Sequence, residues 1–287
     1  MTEENLTTIP QNEEERQKHE IKRLELQARS GFNARSAEYL ARMFGNPDNP
    51  NVRFEEILDL GVGGGDVLPV LVPYLAPSGI AVGIDVDGSR LNAARKVAAT
   101  LGFDKKVALL EGNATGLVLP DDSIQLVYAR LFWHHLPEDQ RYKALSEVYR
   151  VLEKGGRVVF EDADKLFDAW KTFPASEAHD QIKEAGRVFY QREGKESLMG
   201  SKLPSFLESV GFKVKDKSSY IIETSGNDPF KRAHLGIATT FLTGAIELGI
   251  VTKEEADLLI TQFQNDLLKP ETTIWVSPIV QITAAKE

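Results

Sequence analysis

The sequence predicts an α/β protein built on a seven-stranded, mostly parallel sheet with helices on both faces and a helical cap. Three observations lead there. Between Phe54 and Asp164 short apolar runs alternate with helical segments at the spacing of repeated βαβ units. Those runs are nearly continuous in Val, Ile, Leu and Ala, as strands covered on both faces must be. After Asp164 the rhythm changes, and long helical segments interrupt two further strand-like runs, so an insertion should lie over one end of the sheet.

Residues 1–15 are polar and acidic, too poor in apolar groups to bury themselves, and are expected to form a mobile tail. Residues 16–50 carry two amphipathic helices, with Leu24, Leu26 and Ala28 in the first and Ala37, Tyr39, Leu40 and Met43 in the second. They break near Ser30 and Gly31, and two Asn/Pro clusters end the second. A Rossmann-like core follows over 51–165, with strands at 57–60, 81–85, 107–111, 124–129 and 157–162 and helices at 67–75, 89–101 and 139–152. Pro69 suits a first helical turn, whereas Pro73 should kink or shorten its helix. Residues 166–287 are expected to complete the sheet with strands at 213–223 and 273–283, helices at 175–192 and 200–210, and a cap insertion over about 225–271 made of helices 229–248 and 253–268.

The chain has 287 residues, enough for one large α/β unit with a cap. A formal charge of -9 disfavours nucleic acid, because binding to phosphate backbones draws on Lys and Arg. There are no cysteines, which removes disulfides, thiolate metal sites and a Cys nucleophile together and fits a cytoplasmic protein. No apolar run resembles a signal peptide or reaches the roughly 18 residues of a membrane span. Metal-ligand spacing such as H-x-x-x-H is absent, so no metal is expected.

The segment ILDLGVGGGD, residues 57–66, is a buried strand running into a glycine-rich turn that opens a helix. Glycines permit positive φ and let a ligand approach the backbone, while a helix start offers free N–H groups; a nucleoside or carboxylate is the natural guest. The dinucleotide pattern G-x-G-x-x-G/A would require Gly or Ala at the sixth position, where this chain has Asp66, so a nicotinamide oxidoreductase loses ground. Asp85 closes the next strand, 22 residues after Gly63, where its carboxylate can accept from both hydroxyls of a ribose. The competing role, capping the following helix, suits Asp87 better.

With these parts in this order the chain resembles the class I S-adenosylmethionine (SAM)-dependent methyltransferases, especially the ubiquinone/menaquinone-biosynthesis-like group. The runs VALLEGNATGLVLPDDSIQLVYARLFWHHL and LSEVYRVLEKGGRVVFEDAD resemble that group's third to fifth strand region, and the likeness covers about residues 27–164. Two departures stand out: Asn113 where the family usually has Asp, and Gln125 at the start of the fourth strand. The resemblance implies that Asp59, Gly61, Gly63 and Gly65 surround the methionine portion of SAM, Asp85 and Val86 the ribose and adenine, and Asn113 with Ala114 the base. It also implies that Arg130 and Gln27 reach toward the cofactor carboxylate, since a cation beside a sulfonium is unfavourable. A surface ion pair for Arg130 and a helix-surface position for Gln27 are the alternatives.

Transfer of a methyl group to a small molecule needs alignment above all, and a base only for an acidic acceptor atom. His135 and Asp164 are the candidates for that base, among His134, Glu161, His179 and His234; Glu161 and Asp162 should point to opposite sides of their strand. A SAM-fold protein that binds the cofactor without methylating, as a cyclase-like catalyst or a regulatory module, is the competing reading. The acceptor, the atom methylated and the oligomeric state are not written in the sequence.

Overall fold

The computed structural model describes residues 6, 8–28, 31–226, 228 and 230–287. The expected break at Ser30 lies outside them. Two N-terminal helices, α1 (Glu13–Ala28) and α2 (Phe32–Phe44), precede β1 (Phe54–Leu60), α3 (Leu68–Leu71), β2 (Leu75–Asp85), α4 (Gly88–Thr100), β3 (Val107–Glu111), β4 (Ile124–Arg130), α5 (Glu138–Val151) and β5 (Leu152–Ala163). Then come β6 (Lys171–Phe173), α6 (Glu177–Arg192), α7 (Met199–Glu208), β7 (Phe212–Tyr220), β8 (Glu223–Thr224), α8 (Phe230–Glu247), α9 (Lys253–Leu267), β9 (Thr273–Trp275) and β10 (Ile279–Lys286).

The main sheet runs β3-β2-β1-β4-β5-β10-β7, with β10 the one reversed strand. Strand order turns at β1, which pairs in parallel with both β2 and β4. Ligands of such sheets bind outside the carboxyl ends at that switch point, which is where the glycine turn lies. Alternate residues serve opposite faces: Leu58, Val127, Val158 and Phe160 pack with Leu145 and Val148 of α5 and Leu203 of α7. Ile57, Leu126, Tyr128 and Val159 pack with Tyr39, Leu40 and Phe44 of α2. The seven-stranded α/β sheet with helices on both faces is therefore as expected.

Three expectations need correction. The helix expected over 67–75 is α3, only four residues, followed by a single 3-10 turn at Val72–Tyr74, because Pro73 cannot continue an α-helix. The strand expected over 273–283 is two strands in two sheets, since Ser277 and Pro278 separate β9, which pairs with β6 and β8, from β10 in the main sheet. Within the stretch read as a mobile tail, Leu6 and Ile9 are buried in the cap core, and Thr239 donates a hydrogen bond to the Leu6 carbonyl at 3.2 Å. Two apolar residues in a polar run suffice because α8 supplies the surface that covers them. The cap core also takes in Phe167, Trp170 and Ile182 of the β5–α6 region together with Phe241, Leu242 and Phe263.

Candidate functional site

The turn after β1 is pinned by its own backbone. Gly61 and Val62 donate from their N–H groups to the Ile84 carbonyl at 2.8 and 3.0 Å, and Gly63 donates to Asp85 Oδ2 at 3.0 Å. Gly61 has no substitute here. Its φ is +75°, and a Cβ on it would sit 2.5 Å from the Phe132 ring. Gly65, at φ +81°, brings the turn against Ala94 of α4, where a Cβ would lie 3.0 Å from that residue.

Asp85 is buried, and its two oxygens accept from Gly63 N and Asp87 N, each at 3.0 Å, with the Arg90 guanidinium 3.7 Å away. A carboxylate offers about four lone-pair sites, so two backbone bonds leave capacity for two hydroxyls. Asp87 caps α4 through Ser89 N at 2.7 Å, which separates the two acids as expected. Val86 projects outward, 63% exposed, while Ala114 is buried and Asn113 exposed beside it at the end of β3. The Asn113 Oδ1 accepts from Thr115 N and Thr115 Oγ1, both at 2.9 Å.

Asp59 lies under the turn with only 2% of its surface exposed, and its Oδ2 has no hydrogen-bond partner. Burial, and then the neighbouring Asp66 and Asp85 carboxylates, push its pKa up to about 8 against the opposing pull of Arg130. A buried acceptor without a donor, beside a turn open to close approach, suits the ammonium of an amino-acid group. The residues present thus fit the methionine end and the nucleoside end of SAM, with donors supplied by the turn; the short α3 adds little helix dipole.

Arg130 does not stand free. It pairs with Asp66 and donates to Asn33 Oδ1 at 2.9 Å and Ser36 Oγ at 3.1 Å, tying the end of the turn to α2. Gln27 is buried in α1 and accepts from Arg23 Nη1 at 2.7 Å. Helix α1 roofs the turn: Leu24 comes within 3.6 Å of where a Gly63 Cβ would stand. Glu20 on the same helix bonds Arg23 and lies 3.8 Å from Arg90; burial opposes its charge, but these cations pull it down to about 2. Two surface cavities, of about 750 and 800 Å³, lie away from this turn, one around Arg157 and Lys215 and the other between α6 and α9.

Past β4 the chain makes a short 3-10 turn, Trp133–His135, that faces β5. Asp162 is fully buried, accepts from Trp133 N at 2.8 Å and bonds His134 Nδ1. A carboxylate can only accept, so Nδ1 of His134 carries the proton and Nε2 is left as the basic nitrogen. His134 is itself buried, with 7% of its side chain exposed. His135 is exposed, its ring 3.9 Å from that of His134.

Other candidates fall away from this place. Asp164 accepts from Ser201 N at 3.0 Å in the first turn of α7, a capping task set by its position one residue beyond β5. Glu161 points to the opposite side from Asp162, as the strand period requires, and bonds Tyr128 at 2.5 Å and Gln281 at 3.1 Å. His179 and His234 are buried in the cap around Trp170. Among the described residues no group of three acidic or histidine side chains could hold a metal ion. The sequence reading missed Asp162 as a partner of His134, and the shared position of both at strand ends was the only signal for it.

Residues 57–156 match a family model described as a methyltransferase domain. A demethylmenaquinone methyltransferase from Symbiobacterium thermophilum is 31% identical over 131 residues, 42% of this chain and 50% of that relative. The chain spans about half the length of the curated relatives it matches. Among solved structures, the YcgJ protein of Bacillus subtilis superposes with a TM-score of 0.58 at 20% identity, covering 88% of this chain and 99% of that one. The [4+2]-cyclase SpnF gives 0.54 at 16% identity over 88% and 80%. These structural likenesses carry the fold. Residues 57–156, which hold the turn, Asp85 and the strands of the switch point, are thus similar to the methyltransferase-domain family.

Proposed function

We propose that the chain transfers the methyl group of SAM to a small-molecule acceptor through an acidic O–H, N–H or activated C–H, in the cytoplasm and without nucleic acid. The observation that carries this reading is the 3.0 Å bond between Gly63 N and Asp85 at the switch point, which joins the two halves of an adenosyl site. Bound SAM supplies an electrophilic methyl carbon whose displacement leaves a neutral thioether. The chain's own residues do the rest. Asp59 receives the ammonium, Asp85 the ribose, and Gly61, Gly63 and Gly65 leave room for the backbone approach. Arg130 keeps Asp66 and the turn in place, and Gln27 with Leu24 closes the site from above.

His134 Nε2 would take the acceptor's proton, and the Asp162 carboxylate would stabilise the imidazolium formed. A positioned base of this kind contributes roughly 10²–10⁴-fold. His135, exposed beside His134, is the second side chain placed to orient the acceptor. A cyclase-like role has only a shared fold behind it, and the dyad gives methyl transfer a use for its base.

Calorimetry with SAM and S-adenosylhomocysteine tests the site: Asp85→Ala should weaken both by about tenfold or more, the worth of one to two charge-assisted bonds. Incubation with methyl-labelled SAM and a metabolite extract tests the chemistry. Binding without any labelled metabolite would leave the non-methylating reading standing.

A further inference from the structure

Resting on the adenosyl reading above, we infer that Asn113 presents a hydrogen-bond donor, not an acceptor, to the edge of the bound purine, so that the site tolerates a 6-oxo purine in place of adenine. The orientation of the amide is settled by what it already bonds. Thr115 N–H is a donor only, and it lies 2.9 Å from Asn113 Oδ1, with Thr115 Oγ1 at the same distance. The oxygen is thereby spent inside the turn that ends β3, a turn also closed by Gly116 N to the Asn113 carbonyl at 3.1 Å. The amide NH₂ is what remains to face outward, and the residue is exposed.

The same region is where a purine would lie. β2 and β3 pair with Asp85 opposite Glu111, and Gly112 N bonds the Asp85 carbonyl at 3.0 Å, so the exposed Val86 and Asn113 follow within two residues of the point where the strands part. With the sugar at Asp85, the base rests on Val86 and turns its edge to Asn113. Adenine offers on that edge two N–H hydrogens at position 6 and an acceptor at N1. A carboxylate at 113 would keep one oxygen for Thr115 and give the other to the 6-amino group. The amide gives a donor instead, which suits N1 of adenine and O6 of a 6-oxo purine alike. Position 6 is therefore not policed by this side chain.

The experiment compares two thioethers, S-adenosylhomocysteine and S-inosylhomocysteine, by calorimetry on the full-length protein and on Asn113→Asp. Asp can accept the same two bonds from Thr115, and an unchanged thermal unfolding curve confirms that the turn survives. The wild-type chain should bind the two within about tenfold of each other, and Asn113→Asp should widen the gap by about tenfold by setting a carboxylate oxygen against O6 of the 6-oxo compound, two acceptors with no hydrogen between them. A wild-type preference for the adenine compound above that limit, or a gap that Asn113→Asp fails to widen, overturns the inference while leaving the adenosyl site intact. Binding of neither thioether overturns the adenosyl reading itself.

Discussion

Replacing Asp59 by Asn tests the site where structure and chemistry conflict most. The carboxyl is buried with Oδ2 unpartnered, and burial with two neighbouring carboxylates raises its pKa from the ordinary 3.8 to about 8. Between those values the unfolded chain has released a proton that the folded chain retains, so the unfolded state binds fewer protons and stability falls as pH rises through that window. At pH 7 the gap from 3.8 is about three pH units, each worth about 1.4 kcal/mol, a ceiling of about 4 kcal/mol. Asparagine is neutral at every pH and removes this cost. Even a quarter of the ceiling, about 1 kcal/mol, raises the Tm of a domain this large by roughly 2–4 °C. Asp59→Asn should therefore melt higher than the wild type at pH 8, and the difference should shrink toward zero as pH falls to 4. The same variant should bind S-adenosylhomocysteine about tenfold or more weakly, because the ammonium loses its counter-charge. Scanning calorimetry across pH and titration calorimetry at pH 8 read the two effects. A variant no more stable than its parent, with affinity unchanged, would show that Asp59 is a solvated acid with no part in cofactor binding.

Gly61→Ala puts a methyl group 2.5 Å from the Phe132 ring at a φ of +75°, so a loss of about 1–3 kcal/mol in stability and a clear drop in SAM affinity are expected; a chain that melts and binds as before would refute the close approach. Asp162→Asn frees His134 to take the other tautomer and should lower kcat by about 10²-fold or more while leaving SAM affinity within about twofold, whereas an equal loss in both would mark the pair as structural. His179 and His234 are held down to about 3, first by burial, and then by Lys183 for the former and by His179 for the latter. Their depressed folded-state pKa values mean that the cap is stabilised above pH 6.5 and loses that contribution as pH falls from 6.5 toward 3, which fluorescence of the adjacent buried Trp170 should report; a cap signal flat across that range would contradict it.

Much of the fold was legible because it is written in local repetition. Continuous apolar runs marked the strands to within a few residues at β1, β3 and β4, and Asp87 before Ser89 marked the start of α4. Errors came where a neighbour far along the chain overruled local text. Leu6 and Ile9 are buried only because α8 meets them, and 273–283 splits only because two different sheets compete for it. The small sheet of β6, β9 and β8 carries almost no signal, having strands of two or three residues.

The site divides in the same way. The order of the glycine turn, Asp85 and Asn113 along the chain was enough to bring these residues to neighbouring strand ends, since each sits at the end of a strand whose neighbours in a doubly wound sheet follow from topology. Which polar groups are already spent was decided only by packing. Arg130 meets Asp66 across 64 positions, His134 meets Asp162 across 28, and Asp164 turns away to cap α7. A residue type announces what bonds a side chain can make, and sequence order in a regular fold announces its neighbourhood. The partner it takes depends on distances of a few tenths of an ångström between elements folded together, and no pattern along the chain encodes those.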